Sequence, residues 1–491
     1  MATTKPFFLF TLLFFFSLLI SFTFSRTIPS TTSPLNVSSA LKLTTEILNT
    51  LNAHSDVAFQ PFAQETIQQP FLNSSSFSFP IHSREILDKT QYKDYKTLLQ
   101  SRLERDSARV NSLVKKLRRA LNKDEVKSTD NQMLTQGGEL SAPLVSGESQ
   151  GSGEYFTRIG VGSPAEQFYM VIDTGSDVNW IQCKPCVDCY EQSDPLYDPS
   201  ASSSYKSLSC NSPQCDALDV SACLRDQCLY EVTYGDGSFT AGNLMTETLS
   251  FGKSGYVESV TMGCGHDNQG LFTGAAGLLG LGGGSLSLPK QLKTKSFSYC
   301  LVNRDSNKTG TLEFNSPVPS DSVTTMLSKS NETNTFYYVG LTGFTVGGHK
   351  VQIPESTFEL DESGNGGIII DCGTAVSRLQ TPAYHALRDA FRNETSDLKS
   401  TGPYSLFDTC YDLSGLSTVK VPSVSFVFAG NKYLDLPTEN YLIPVDSDGT
   451  FCFAFASTDS SPQIIGNVQQ QGTRVTFDLA NERVGFASYK C

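Results

Sequence analysis

Residues 169–176 have the sequence YMVIDTGS, and residues 367–374 have the sequence GIIIDCGT. In each stretch an apolar, strand-forming run ends at Asp, which is followed by one residue, Gly and a hydroxyl residue. About a hundred residues after each stretch come two apolar residues and Gly, at 278–280 and 464–466. This internal repeat predicts a duplicated β lobe, whose pseudo-two-fold axis would bring the two Asp loops together.

Asp173 and Asp371 are the predicted catalytic pair. Peptide hydrolysis needs a base to activate water and an acid to protonate the leaving nitrogen, and two close carboxylates that share one proton supply both. The flanking residues suit this role through tight turns and hydroxyl hydrogen bonds to the carboxylates. These supporting residues are Gly175, Ser176, Gly373 and Thr374. A single Asp-Thr-Gly-Ser could be an ordinary Asx turn, but the duplicated context favours the catalytic interpretation.

The composition indicates a folded protein of two or three units. The chain has 491 residues, of which 39% are hydrophobic and 18% are charged. Strand-like runs recur at 168–172, 229–233, 424–428 and 474–477, whereas residues 382–392 favour a helix. The part beyond residue 155 is therefore predicted to be mostly β.

The N-terminus has the layout of a secretory signal peptide. Lys5 precedes an apolar run over residues 7–24, and Arg26 follows it, so residues 1–25 are the predicted signal. An uncleaved signal anchor is the alternative, because the run is slightly long. We expect the protein in the secretory pathway, in the endoplasmic reticulum, the vacuole or outside the cell. Asn-x-Ser/Thr glycosylation acceptors fit that route at Asn36, Asn73, Asn307, Asn331 and Asn393.

Charge divides the chain into two parts. Residues 1–128 contain 16 Lys and Arg against 10 Asp and Glu, whereas residues 129–491 contain 21 against 40. Residues 26–140 are predicted to be a propeptide, with a basic helical prosegment at about 84–128 that covers the anionic enzyme as an intramolecular inhibitor. A solvated amphipathic helix is the simpler alternative. Its apolar stripe is Leu98, Leu99, Leu103, Val110, Leu113 and Leu117, and the basic residues around it are Arg102, Arg105, Arg109, Lys115 and Arg118.

All 13 cysteines lie beyond residue 180, and in an oxidising compartment most of them should form disulfides. The C-x2-C-x2-C spacing of Cys183, Cys186 and Cys189 could hold a metal in a cytosolic protein, but the signal peptide argues against that. The odd number leaves at least one thiol free or paired between chains. Spacing alone cannot decide the pairing.

Several of these motifs resemble those of the pepsin-like aspartic peptidases, and more narrowly those of the plant nepenthesin-type branch. The matching stretches are 173–180, 234–238, 274–283, 371–379 and 464–472. The resemblance implies a bilobal acid-protease fold, with lobes at 155–315 and 335–491 and a cysteine-rich insertion at 183–228. It also implies a monomeric endopeptidase that cuts proteins or peptides at acidic pH, and it points to the endoplasmic reticulum.

The resemblance assigns a flap to residues 234–238, with Tyr234, Gly235 and Asp236 over the cleft and the indole N–H of Trp180 supporting Tyr234. An Asp-Gly turn also predicts a hairpin there. Without the resemblance, Tyr234 and Trp180 could be ordinary core residues. The resemblance further implies the disulfides Cys183–Cys186, Cys189–Cys264, Cys210–Cys228, Cys215–Cys223, Cys300–Cys491 and Cys410–Cys452.

Cys372 departs from the family pattern, in which Ser or Thr follows the second Asp. In the family these hydroxyls brace the two loops, which Thr174 can still do, whereas a thiol is a weaker donor. Cys372 is also the thiol left over after six pairs. It is either a buried inert group or a redox-sensitive switch beside the active site.

Other functional classes find little support. Residues 147–151 fit G-x-S-x-G but lack the strand and helix of a nucleophile elbow. No H-E-x-x-H is present, and Gly-rich residues 277–284 lack a P-loop Lys, so we expect no metal and no cofactor. The acidic catalytic part argues against nucleic acid. The main alternative is a pepsin-like binding or inhibitor protein of the glycanase-inhibitor type; an adhesive glycoprotein has no positive feature behind it.

Overall fold

The computed structural model describes most of the chain beyond residue 30. The described residues are 31–53, 76–84, 90–121, 155–234, 238–270, 272, 274–306, 308–330 and 333–491. The predicted signal peptide lies outside them, as do Asn73, Asn307 and Asn331. The described part is mostly β, as predicted, and it forms two β lobes preceded by a mixed N-terminal segment.

The described residues before residue 122, which include the predicted prosegment and are called the prosegment below, form two strands and two helices. These are β1 (Thr32–Leu35), α1 (Val37–Ala53), β2 (Phe77–Ser83) and α2 (Tyr95–Leu121). In β2 the side chains of Phe77, Phe79 and Ile81 are buried and alternate with more exposed residues, which is the period of a strand with one face on a core.

The described part of the first lobe is built mainly from antiparallel strands, with a few parallel pairings, and has two one-turn helices, α3 (Pro213–Asp216) and α4 (Leu288–Gln291). Its strands are β3 (Tyr155–Val161), β4 (Glu166–Asp173), β5 (Trp180–Gln182), β6 (Asp188–Cys189), β7 (Lys206–Ser207), β8 (Ser221–Leu224), β9 (Gln227–Thr233), β10 (Phe239–Ser250), β11 (Tyr256–Gln269), β12 (Gly277–Gly280), β13 (Ser296–Cys300) and β14 (Gly310–Phe314).

The second lobe has one longer helix, α5 (Thr381–Glu394), which includes the helical run predicted at 382–392. Its strands are β15 (Val323–Ser328), β16 (Tyr338–Val339), β17 (Leu341–Val346), β18 (His349–Lys350), β19 (Ile368–Ile370), β20 (Ser377–Gln380), β21 (Ser400–Thr401), β22 (Cys410–Asp412), β23 (Val419–Pro422), β24 (Val424–Phe428), β25 (Lys432–Asp435), β26 (Leu442–Pro444), β27 (Thr450–Phe453), β28 (Phe455–Thr458), β29 (Gln463–Ile465), β30 (Thr473–Asp478) and β31 (Arg483–Ser488).

One antiparallel sheet joins the two lobes, and the prosegment contributes a strand to it. Its order is β3, β2, β14, β13, β30, β31 and β15, so that β2 pairs with β3 on one side and with β14 on the other. At the far edge of the second lobe, β1 pairs with β23. The prosegment is therefore integrated into the backbone hydrogen bonding of both lobes.

The predicted internal repeat is confirmed by strand pairing. β4, which ends at Asp173, runs parallel to β12, and β19, which precedes Asp371, runs parallel to β29. In each half a third strand, β5 or β20, packs antiparallel against that partner. The apolar-apolar-Gly segments are thus the strands that hold the two Asp loops.

Helix α2 begins at Tyr95, later than the predicted residue 84. Its start is set by Asp94, whose Oδ1 accepts the backbone N–H of Thr97 at 2.8 Å, and by β2, which continues to Ser83. Residues 85–89 and 122–128 lie outside the described part. The predicted apolar stripe is buried against the second lobe, because Leu98, Leu99, Leu103, Val110, Leu113 and Leu117 pack there.

Four of the six disulfides implied by the resemblance are wrong. The structure pairs Cys183 with Cys264, Cys186 with Cys189, Cys210 with Cys223 and Cys215 with Cys228. It contains the expected Cys300–Cys491 and Cys410–Cys452 bridges and leaves Cys372 free.

Strand geometry explains the corrected pairs. β5 runs parallel to β11, which places Cys183, just after β5, beside Cys264 with 5.4 Å between their Cα atoms. Cys223 and Cys228 lie opposite each other in the β8–β9 hairpin but differ in burial. The buried Cys228 bonds the buried Cys215, whereas the exposed Cys223 bonds Cys210.

Two surface expectations concern described residues. Asn36 and Asn393 are exposed, so these two glycosylation acceptors are sterically reachable, and their use stays a prediction. Within the described ranges, no helix combines the length and the hydrophobicity needed to cross a bilayer.

Candidate active site

Asp173 and Asp371 lie at the carboxyl ends of equivalent strands, and their side chains meet between the lobes. A Cβ atom built on Gly373 would lie 2.7 Å from Oδ1 of Asp173, and one built on Gly175 would lie 3.2 Å from Oδ1 of Asp371. Each carboxylate thus approaches the glycine of the opposite loop. Both acids are buried, with at most 2% of either residue exposed.

Each carboxylate is held by equivalent donors from its own loop. The Gly175 N–H donates to Asp173 at 2.9 Å, and the Ser176 hydroxyl donates to its other oxygen. The Gly373 N–H and the Thr374 hydroxyl contact Asp371 in the same manner, at 3.3 and 2.6 Å. All four supporting residues predicted from the sequence therefore bond a carboxylate, which fixes its orientation.

The brace between the two loops is one-sided. Thr174 Oγ1 accepts the backbone N–H of Cys372 at 2.9 Å and lies 3.2 Å from Asp371 Oδ1. The Cys372 thiol is 3.8 Å from the carbonyl oxygen of Ile172, a long contact for a weak donor. Burial, together with the charges of Asp371 and Asp173, raises the pKa of this thiol far above its usual range. Cys372 therefore stays protonated, which favours the inert interpretation of this thiol.

Arg109 of helix α2 occupies the space between the two acids. Its Nη2 lies 2.5 Å from Asp173 Oδ1 and 3.3 Å from both oxygens of Asp371, and its Nε is also 3.3 Å from Asp371 Oδ2. The side chain of Arg109 is only 1% exposed. A single guanidinium nitrogen therefore bonds both acids, which places the two carboxylates at one site.

Burial and Arg109 separate the two acids electrostatically. Burial is the largest influence on Asp173, and with the negative charge of Asp371 it raises the pKa of Asp173 against the opposing effect of Arg109. Burial also disfavours ionised Asp371, but Arg109 and the Thr374 hydroxyl outweigh it and lower the pKa of Asp371. A pair with pKa values pushed apart suits a division into acid and base.

The predicted flap is a β-hairpin formed by β9 and β10. Tyr234 follows β9, and its N–H donates to the Ser238 carbonyl at 2.7 Å, while Trp180 Nε1 donates to the Tyr234 hydroxyl at 2.9 Å. Both aromatic side chains are buried beside Phe272. Gly235 and Asp236, predicted at the tip, lie outside the described residues.

A second ion pair joins α2 to the loop of Asp371. Asp106 Oδ1 accepts the backbone N–H groups of Ala375 and Val376 at 2.5 and 3.2 Å, and its Oδ2 bonds Arg378 Nη2 at 2.5 Å. The side chains of Asp106 and Arg378 are 0% and 6% exposed.

The sequence did not identify Asp106 and Arg378 as site residues. It placed Arg109 only among the basic residues around the apolar stripe of the helix. The available signal was the spacing of Asp106 and Arg109, which puts them one turn apart on one face of α2. What could not be foreseen is that this face, rather than only the leucine stripe, is buried.

The comparisons with known proteins agree with this geometry. Residues 155–315 match the family model for the xylanase inhibitor N-terminal domain, and residues 336–488 match the model for the corresponding C-terminal domain. The protein ASPARTIC PROTEASE IN GUARD CELL 2 of Arabidopsis thaliana is 46% identical over 85% of this chain and 88% of that protein. The chain belongs to the pepsin-like family of aspartic peptidases.

Further similarity extends over nearly the whole chain. Aspartyl protease family protein 2 of Arabidopsis thaliana is 48% identical over 90% of this chain and 93% of its own length. Among solved structures, basic 7S globulin from soybean superimposes with a TM-score of 0.56 at 22% identity, over 69% of this chain and 93% of that one. At that identity the soybean protein supports the fold alone.

Proposed function

We propose that this chain is an aspartic endopeptidase that hydrolyses peptide bonds in proteins or peptides at acidic pH. The observation that carries the proposal is the meeting of Asp173 and Asp371 on one guanidinium nitrogen, which brings two buried carboxylates to a single point. The relatives named as aspartic proteases at 46% and 48% identity support the same activity.

The proposed mechanism uses one ionised and one protonated carboxyl. Two close carboxylates ionise together only at a high electrostatic cost, so they hold one proton between them over a wide pH range. The ionised member takes a proton from water as it attacks the scissile carbonyl, and the protonated member donates to the leaving nitrogen. The N–H groups of Gly175 and Gly373 keep both carboxyls oriented during this exchange.

We further propose that the prosegment is an intramolecular inhibitor. Arg109 occupies the position where water and the scissile bond would lie, and it neutralises the two acids that must act on them. Helix α2 is anchored on the N-terminal side of Arg109 by two buried ion pairs, Arg102 with Asp305 at 2.6 Å and Asp106 with Arg378 at 2.5 Å. Access of a peptide to the acids therefore requires that α2 leave the cleft.

Acid should weaken this inhibition. Asp173, whose pKa is raised, gains its proton first as the pH falls, and Asp371, whose pKa is lowered below its usual 3.8, follows. Protonation of Asp371 removes a negative charge that Arg109 stabilises, so this contribution to the closed state is present above the usual pKa of Asp and is lost as the pH falls through the lowered pKa. The raised pKa of Asp173 reflects its burial and is not a source of this acid dependence. We expect release of α2 as the pH falls below about 4, where Asp371 begins to gain its proton.

The decisive experiment is digestion of denatured haemoglobin by acid-treated full-length protein, with and without pepstatin. We expect cleavage near pH 4 that pepstatin abolishes. Absence of cleavage by protein whose prosegment has been removed would favour the alternative of a pepsin-like binding protein, the class suggested by the xylanase-inhibitor description of the matching domain models.

We also propose that the chain enters the secretory pathway and acts as a monomer. The apolar run at residues 7–24 and the six disulfides support entry into an oxidising compartment. Sensitivity of the expressed protein to endoglycosidase would test this route, and light scattering would test the oligomeric state.

A further inference from the structure

We propose that the mature enzyme has a carboxylate-binding subsite formed by Arg378 and the backbone N–H groups of Ala375 and Val376, and that it selects peptides with an acidic residue near the scissile bond. This inference rests on the proposed endopeptidase activity. In the structure described here, the subsite is filled by Asp106 of the prosegment, whose two oxygens receive all three donors.

The site is built into the second lobe and does not depend on the prosegment for its shape. Arg378 lies on β20, where its backbone is in register with Ile464 of β29, and its Nη1 donates to the Val376 carbonyl at 2.8 Å. Ala375 and Val376 belong to the segment that follows the catalytic Asp371. The three donors therefore stay convergent when α2 leaves.

Removal of α2 leaves these donors without an anion. Among the described residues, Asp106 is the one carboxylate that bonds Arg378, and it also accepts hydrogen bonds from the N–H groups of Ala375 and Val376. A cation beside a low-dielectric cleft attracts a replacement anion strongly. A planar carboxylate fits a guanidinium and two adjacent N–H groups in the same way that Asp106 does.

The position of the subsite follows from the helix. Asp106 precedes Arg109 by three residues, so the two side chains leave α2 on one face, less than one turn of about 5.4 Å apart. Arg109 marks the catalytic pair, and an extended substrate advances about 3.3 Å per residue. The acidic residue of the substrate should therefore lie about one or two residues from the scissile bond.

The carboxylate can come from an Asp or Glu side chain within a longer peptide or from a free C-terminus. The test uses acid-matured full-length protein and amidated peptides with one apolar cleavage pair. Asp is moved through each neighbouring position, and every peptide has an Asn counterpart. A second pair of peptides ends at the best position. One member has a free C-terminal carboxylate and the other has an amide.

At pH 5 we expect kcat/KM for one Asp position to exceed that of its Asn counterpart about tenfold, as a charge-assisted hydrogen bond would give. At pH 3 the ratio should fall towards one, because a substrate Asp with a pKa near 3.9 is then largely protonated while Arg378 remains charged. If the enzyme prefers the peptide with a free C-terminal carboxylate over its amide but does not distinguish Asp from Asn, the site binds chain ends. Recognition of an acidic side chain is then excluded.

Variants sharpen the assignment. Arg378→Gln should lower kcat/KM for the Asp peptide to the level of the Asn peptide, whereas Arg392→Gln, which removes an exposed cation on α5, should leave the ratio unchanged. Equal rates at pH 5 for every pair of Asp and Asn peptides and for the pair with a free or an amidated end, measured with the unsubstituted enzyme, would overturn the subsite, whether or not the variant folds. Failure to cut any peptide, the Asn series included, would instead refute the endopeptidase itself.

Discussion

The two Asp loops show how far the duplicated halves have remained equivalent. Around the carboxylates they match closely, since each loop supplies one glycine N–H and one hydroxyl to its own Asp. At the next position they differ, because Thr174 reaches across to the second loop whereas Cys372 makes only a long contact back. Direct support of the carboxylates is thus duplicated, but the brace between the loops depends on one half.

The prosegment uses the two halves unequally as well. Beside the second loop it places Asp106 against three donors, whereas beside the first loop its ion pair other than Arg109 with Asp173 is the longer, partly exposed contact of Lys116 with Asp177 at 3.9 Å. The leucine stripe of α2 also packs mainly on second-lobe residues. The second half therefore supplies most of the apolar contacts of α2, while the buried pair of Arg102 with Asp305 joins the helix to the first lobe.

The largest effect should come from removing either acid. Asp173→Asn and Asp371→Asn should each lower kcat/KM at least about a thousandfold, because one ionisable carboxyl cannot serve as both base and acid. Peptide hydrolysis by acid-matured protein measures this, with circular dichroism as the control for folding. Substantial activity in either variant would show that the two halves are not catalytic partners.

The next largest effect should come from Arg109→Met. The substitution leaves two buried acids without their cation, which should raise peptide hydrolysis by unprocessed protein at pH 5.5 about a hundredfold. Arg118→Met, in the same helix at an exposed position, is the matched control and should leave peptide hydrolysis by the unprocessed protein unchanged. If both variants are equally inactive before processing, Arg109 is not the group that blocks the acids.

A smaller effect distinguishes the two bracing positions. Thr174→Ala leaves the buried N–H of Cys372 without its acceptor, and we expect it to lower the free energy of unfolding by about 1–2 kcal/mol. Cys372→Ser should change the equilibrium constant of unfolding by less than about twofold, and kcat/KM by less than about twofold, since the thiol contributes little hydrogen bonding. Urea unfolding of both variants checks this, and a larger loss in Cys372→Ser would reverse the assignment of the brace.

The last effect concerns substrate binding at the predicted flap, the hairpin of β9 and β10, which belongs to the first half. Trp180→Phe keeps the packing against Phe272 but removes the N–H that bonds the Tyr234 hydroxyl. We expect KM to rise about fivefold with little change in kcat, as one lost hydrogen bond would give. A fall in kcat without a change in KM would mean that the flap acts on the chemical step.

The sequence predicted the repeat, both acids and four of their supporting residues, because strand pattern and turn chemistry are local and occur twice. It did not predict which cysteines meet, since Cys183 and Cys264 are brought together by strands distant in sequence. It also did not predict Arg109 between the acids or Asp106 on Arg378. Arginines on a polar-rich helix are usually solvated, and only docking to a complementary cleft buries them.

The strand β2 has a consequence for the order of events during maturation. A cut in the chain between α2 and β3 does not by itself free the N-terminal fragment, because β2 is still hydrogen-bonded on both edges, to β3 and to β14. Its departure would uncover two rows of peptide groups in the middle of a sheet, which is costly unless another strand takes its place. If the chain is cut there, as the proposed maturation implies, backbone cleavage and opening of the cleft are expected to be separate steps. The nicked two-chain species between them should then migrate as two bands on a denaturing gel and as one particle in native chromatography.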